Sequence, residues 1–212
     1  VTNIDIATFK LDYENSLFGG TVGLGTKISQ VVTDNTFLFF DVPEEERIRN
    51  DLRSNIFEYD EKVYAAYINY QRKLSDKWNM SAGLRSETTD AVGELMPFLS
   101  ELAEDPVKQD YTNLFPNIGL TYSVSRSNTL SLNYGRRINR PEYDVLNPFE
   151  GQLSELSFRK GNPFLIPEIV NNIEIGYTLK YRYNFKLAYS QTTDQITRLI
   201  SPDDKDPRAG FI

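Results

Sequence analysis

From Lys77 onward, Trp78, Met80, Ala82 and Leu84 share one parity, while Lys77, Asn79, Ser81, Gly83, Arg85 and Glu87 share the other. A period of two gives one apolar and one polar face, which predicts a β-strand. The stretch before it repeats the pattern, with Tyr64, Ala66, Ile68 and Tyr70 opposing Ala65, Tyr67, Asn69 and Gln71. So do Leu114 to Val124 and Leu130 to Tyr134, then Ile173 to Leu179 and Tyr183 to Tyr189. The N-terminal pair is weaker: Ala7, Phe9, Leu11 and Tyr13 alternate with polar residues, as do Val22, Leu24 and Ile28 after a turn at 17–20. Eight strands in four hairpins follow, at about 3–14, 20–33, 57–73, 77–89, 112–124, 128–139, 168–180 and 184–200.

The spacing between strands carries further information. Within each hairpin the turn is a few residues, whereas 34–56, 90–111 and 140–167 separate one hairpin from the next. Alternating short and long connections match a membrane-spanning barrel with short periplasmic turns and long extracellular loops. Ten-residue strands tilted by about 45° cross the apolar layer of a bilayer. Tyr13, Phe18, Tyr70, Trp78, Tyr122, Tyr181 and Tyr183 fall beside the short turns, as an aromatic girdle at one interface would. The polar parity is small and hydrophilic, with Gly23, Gly25, Gly83, Gly119, Gly135 and Gly176, and suits a wet lumen. The expected fold is therefore all-β: an antiparallel up-and-down meander, one segment of a transmembrane β-barrel. Two loops are expected to hold short helices, over Pro43 to Ser54 and Glu94 to Glu104, from their apolar stripes and the proline start.

Composition narrows the chemistry. Among 212 residues there is no cysteine and no histidine. Disulfide scaffolds, thiol nucleophiles, zinc fingers and histidine-based catalysis are thereby excluded. A net charge of -7 argues against nucleic-acid binding. The mean hydropathy of -0.45 does not argue against a membrane barrel, whose strands dilute apolar residues with polar ones.

Ordered motifs then stand out. Asn113-Leu114-Phe115-Pro116-Asn117 opens one strand, followed by Arg136-Arg137-Ile138-Asn139-Arg140-Pro141-Glu142-Tyr143 and Leu146-Asn147-Pro148-Phe149. Gly161-Asn162-Pro163 and Pro167-Glu168 lead into the next strand, and Tyr59-Asp60-Glu61 and Ala82-Gly83-Leu84-Arg85 lie upstream. Over most of 57–200, and more loosely before, this string resembles the outer-membrane β-barrel family of Bacteroidota, within the TonB-dependent receptor superfamily. The resemblance implies a barrel of about 22 strands around a plug, importing a scarce nutrient such as a glycan or an iron chelate. It also implies a Gram-negative outer-membrane location and contacts with outer-membrane lipid and lipopolysaccharide. Partners would further include a small nutrient ligand and the TonB complex, the latter through parts of a longer chain. The stretch 1–212 lacks a TonB box and a plug and reads as one barrel segment, a fragment of a larger barrel with both ends on the long-loop side. No enzyme, cofactor or metal site is expected. A soluble β-sheet ligand-binding or adhesin-like domain is the alternative.

Arg136, Arg137 and Arg140 form the one basic cluster and are the candidate ligand-binding residues, able to grip an anion by forked hydrogen bonds. The competing expectation is that they pair with Glu142, Asp144 or Glu150 and fix the 140–167 loop. Glu44 to Glu46 and Asp203, Asp204 and Asp206 lack the spacing of a calcium loop. Asp12 and Glu14, on the lumenal parity, do not show the paired geometry of glycoside hydrolysis.

Overall fold

The computed structural model describes residues 1–103, 105–154, 156–202 and 210–211; the acidic run at 203–206 lies outside the described residues. Eight long strands dominate: β1 (Thr2–Leu17), β2 (Gly20–Phe37), β3 (Asn55–Lys73), β4 (Trp78–Pro97), β5 (Val107–Ser125), β6 (Asn128–Asn139), β7 (Glu168–Leu179) and β8 (Tyr183–Thr193). They pair in chain order, all antiparallel, in a single meander. The strand count and topology are those that the alternation predicts.

The registers align the apolar parity across the sheet. One row runs Val22, Tyr70, Ala82, Ile118, Tyr134, Ile173, Tyr189. The next runs Met80, Leu120, Leu132, Ile175, Leu187. Leu24, Ile68, Leu84, Ile118, Leu132, Ile175 and Leu187 all stand exposed, between 43% and 72%. Water does not tolerate a contiguous apolar face of this size, so the face is built for lipid. Trp78 packs on Tyr122 with ring centroids 4.6 Å apart, beside the short turns. The first of these turns is two residues, Phe18 and Gly19, both at positive φ, closing the Leu17–Gly20 pair as a tight hairpin requires.

On the opposite face a row alternates Gly23, Asn69, Gly83, Asn117, Gly135, Asn172 across six strands. A Cβ at Gly83 would lie 2.6 Å from the Asn117 amide and one at Gly23 would meet the Asn69 side chain, so these two asparagines need their bare neighbours to lie flat. This lower inner wall is polar and thin, as a lumen needs to be.

The two helix expectations fail. Glu94 to Pro97 continue β4, paired with Asn55 to Glu58 of β3, and only Ser100–Leu102 forms a 3-10 turn. A helix there would leave that strand end without backbone partners, a larger loss than its own hydrogen bonds return. Pro43 to Glu45 also form a single 3-10 turn, with Glu44 and Glu45 at positive φ. The chain then turns back so that Phe40–Asp41 pairs with Ile48–Arg49. Ser54, fully buried, locks this fold by donating to the Asn50 carbonyl and accepting from the Phe39 amide. β8 ends at Thr193 rather than at 200, where Asp194 enters positive φ.

Candidate functional site

The buried core lies at the long-loop end of the polar face. Phe57, Tyr59 and Ala91 from β3 and β4 pack against Leu146, with Leu95, Tyr143 and Leu165 around them. Leu146 belongs to a one-turn helix α1 (Tyr143–Leu146) inside the 140–167 connection. That connection therefore folds inward across the inner wall. The Tyr143 ring sits 5.2 Å from that of Tyr59, and the Gln109 amide donates to the carbonyls of Pro163 and Leu165. Gly161 lets the segment close: a Cβ there would meet the Asn147 and Val145 carbonyls at 2.4 and 2.5 Å.

Arg140 is the polar counterpart of Leu146. Its Nη2 donates to Glu87 Oε2 and to Thr89 Oγ1, both at 2.9 Å. Its Nε lies 3.7 Å from Glu61 Oε2, a charge contact without a hydrogen bond. Glu61 and Glu87 are largely buried, with 8% and 11% of their side chains exposed, and Arg140 has 25%. The sequence expectation that Arg140 pairs with Glu142, Asp144 or Glu150 is overturned. Asp144 is held by Arg159 and Glu150 by Lys160, within the loop. Arg140 reaches the wall because it follows β6 directly, where the chain is still committed to the sheet.

The other two arginines part company. Arg136 pairs in register with Asn171 and carries the lipid-face parity of Leu132 and Tyr134. Arg137 pairs with Val170 on the inner parity, and both arginines border, with Asn133, Asn172 and Glu174, a cavity of about 330 Å³ that Arg140 does not reach. The three do not form one anion grip. The signal that sequence reading missed was Glu61 and Glu87, two acids of the inner parity on neighbouring strands near the long-loop end. Asp12 is engaged by Lys10 at 2.8 Å and by the Tyr67 hydroxyl, so it does not stand free for chemistry beside Glu14.

Glu61 lies beyond the apolar stretch of β3, which begins at Tyr64. Burial, the largest influence, pushes its carboxyl above the usual glutamate range, against the pull of Arg140 and Tyr59. A carboxyl raised in the fold stabilises it fully below the usual value, and that contribution is lost as pH rises through the raised one. Protease protection of the 140–167 loop is therefore expected to weaken through Glu61 as the pH rises above the ordinary glutamate range of about 4. In Glu61→Gln that part of the slope disappears; identical pH profiles for the two proteins would refute it.

Nearer the rim, the three long connections meet around a cavity of about 310 Å³, bordered by Leu52, Leu95, Leu102, Phe149, Phe158 and Lys160. Cation–π contacts stiffen its surroundings, with Arg49 over Phe98 at 4.2 Å and Arg53 over Phe39 at 3.7 Å.

Comparison with known proteins agrees with this geometry. The profile of the outer membrane protein beta-barrel family matches residues 1–209. No curated protein sequence matches the chain. Among solved structures, the ferric citrate transporter FecA superposes with a TM-score of 0.63 at 11% identity, covering 99% of this chain and 30% of its own. The ferric-catecholate import receptor Fiu of E. coli K12 gives 0.59 at 12%, covering 96% and 32%. The alcaligin outer-membrane receptor FauA of Bordetella pertussis gives 0.56 at 18%, covering 90% and 29%. The chain thus spans about a third of the length of each structure it matches, and at these identities the likeness is one of fold.

Proposed function

The chain belongs to the outer membrane protein β-barrel family, and from that premise we propose that it is a wall segment of a TonB-dependent import receptor. Its ligand would be a scarce nutrient, a glycan or an iron chelate. The observation that carries this reading is the convergence of three long connections on one rim cavity, with the third folded inward over the lumen. A diffusion pore needs an open mouth, whereas a receptor needs a shaped one placed by rigid strands. Similarity in fold to import receptors for ferric citrate and ferric catecholates supports the same class. The exposed apolar face and the family match weigh against a soluble adhesin-like domain. In this reading 1–212 is one part of a larger barrel, and the plug and the TonB contact belong to the rest of the parent chain. The shared third of the receptor length supports it.

The test is made in cells carrying the full-length protein. Deleting residues 100–104, within the connection from β4 to β5, removes part of the rim and keeps 98, 99, 105 and 106 to span the offset between Pro97 and Val107, so that both strands stay paired. Uptake of one nutrient is expected to fall to the level of a receptor knockout, and wild-type uptake to collapse when the proton gradient is discharged. Normal uptake after the deletion, or uptake without the gradient, would leave a passive pore instead.

A further inference from the structure

We infer that the inner wall carries a second binding site, for a small organic cation with an aromatic body. The site is a cavity of about 250 Å³. Its floor comes from adjacent rows of three strands: Thr2, Asn35 and Phe57, then Ile4 and Thr33. Its roof is Glu142, Tyr143 and Asp144, at the start of α1. The cavity thus exists, as a half-open cleft, only because the 140–167 connection folds inward.

Its chemistry is one-sided. Glu142 caps no helical amide, and among the described residues its carboxylate pairs with no cation. Asp144 is already held by Arg159 at 2.5 Å. No Lys or Arg borders the cavity. Beside Thr2, Thr33 and Asn35, the remaining surface is apolar, from Ile4, Phe57 and the Tyr143 ring.

Thr33 gives the independent observation. It is 3% exposed, it lines this cavity, and its hydroxyl oxygen has no hydrogen-bond partner. A buried hydroxyl left unsatisfied costs about 1–3 kcal/mol in an ordinary interior, so an unpaired acceptor facing a cavity marks where a ligand donor fits. An ammonium group satisfies both needs: it donates to Thr33 and neutralises Glu142. An aromatic ring behind it fills the apolar part, and the face of Tyr143 favours a cation nearby. Anions are disfavoured by Glu142, and a neutral aromatic gains nothing from its charge. The cavity is slightly smaller than usual pockets for drug-sized molecules, which limits the ligand to about one bicyclic ring with a short amine arm.

This site stands apart from the import reading, because it is tested by equilibrium binding without transport. Tryptamine and indole-3-acetate, which share a ring system and differ in the charge of the arm, are titrated calorimetrically into the detergent-solubilised full-length protein. Tryptamine is expected to bind at least tenfold more tightly than indole-3-acetate. Glu142→Gln, at an exposed side chain that the fold does not use, is expected to weaken tryptamine at least tenfold. Thr33→Val should weaken it further, with unchanged heat-dependent gel migration as the check on folding. Equal binding of the two probes, no binding of tryptamine at millimolar concentration, or unchanged affinity in Glu142→Gln would each overturn the assignment.

Discussion

Replacing Leu132 by Arg is expected to cost the folded barrel about 2–4 kcal/mol, while Asn133→Arg costs less than about 1 kcal/mol. Leu132 sits in the apolar row between Leu120 and Ile175 and is 43% exposed. In a bilayer that exposure is contact with acyl chains, where a guanidinium loses its hydration and gains no partner. Asn133, one residue on, has Gly119 and Glu174 as cross-strand neighbours on the polar face. There an added arginine reaches water and a carboxylate. The two variants carry the same charge at adjacent positions, so backbone propensity and net charge cancel in the comparison. Urea unfolding in lipid vesicles measures both. Equal costs would show that the two faces are not lipid and lumen.

The second large effect concerns the inward loop. Arg140→Met leaves Glu61 without a cation and Glu87 with only Arg85, whose Nε donates to Glu87 Oε1. Breaking a buried pair in this way typically costs about 3–5 kcal/mol, and the partial exposure of Arg140 puts the expectation at the lower end. The strands are held by long ladders of backbone bonds, so the loss falls on the docking of 140–167. Cleavage by proteinase K between Asn147 and Gly161 is expected to accelerate by about two orders of magnitude, since each 1.4 kcal/mol of opening is tenfold. Glu61→Gln added to Arg140→Met should restore much of the protection, because it removes the stranded charge and leaves the Arg85–Glu87 pair intact. If Arg140→Met alone leaves cleavage unchanged, the loop is held by Leu146 and Tyr143 without it.

The strands were legible because their signal is local. Parity at Trp78, Met80, Ala82 and Leu84 fixes both the face and, with the turn at Phe18-Gly19 and its counterparts, the register. The extracellular strand ends were less legible. Glu94 to Pro97 look helical in isolation, and only the presence of Asn55 to Glu58 alongside makes them a strand. The candidate site was the least legible part. Arg140 finds Glu87 at 53 positions' separation, across two intervening strands, and nothing in the 140–150 window points there. Its nearer acids are taken by Arg159 and Lys160, so proximity in sequence misdirected the pairing. Charge on the inner parity was the usable clue, because a carboxylate buried in the wall, as Glu61 and Glu87 are, has to be answered by something.

Orientation in the membrane can be read directly, since residues 1–212 hold no cysteine, and in a full-length protein with any cysteine outside them replaced an introduced thiol is unique. Phe164→Cys places one on the inward-folded connection, at a site 72% exposed. Asp76→Cys places one in the short turn between β3 and β4. Intact cells carrying the full-length protein are treated with a polyethylene-glycol maleimide too large to cross the outer membrane. Phe164→Cys is expected to label in intact cells, and Asp76→Cys only after the outer membrane is opened. Labelling of Asp76→Cys in intact cells, with Phe164→Cys protected until permeabilisation, would contradict an outer-membrane barrel wall whose long connections form an extracellular mouth.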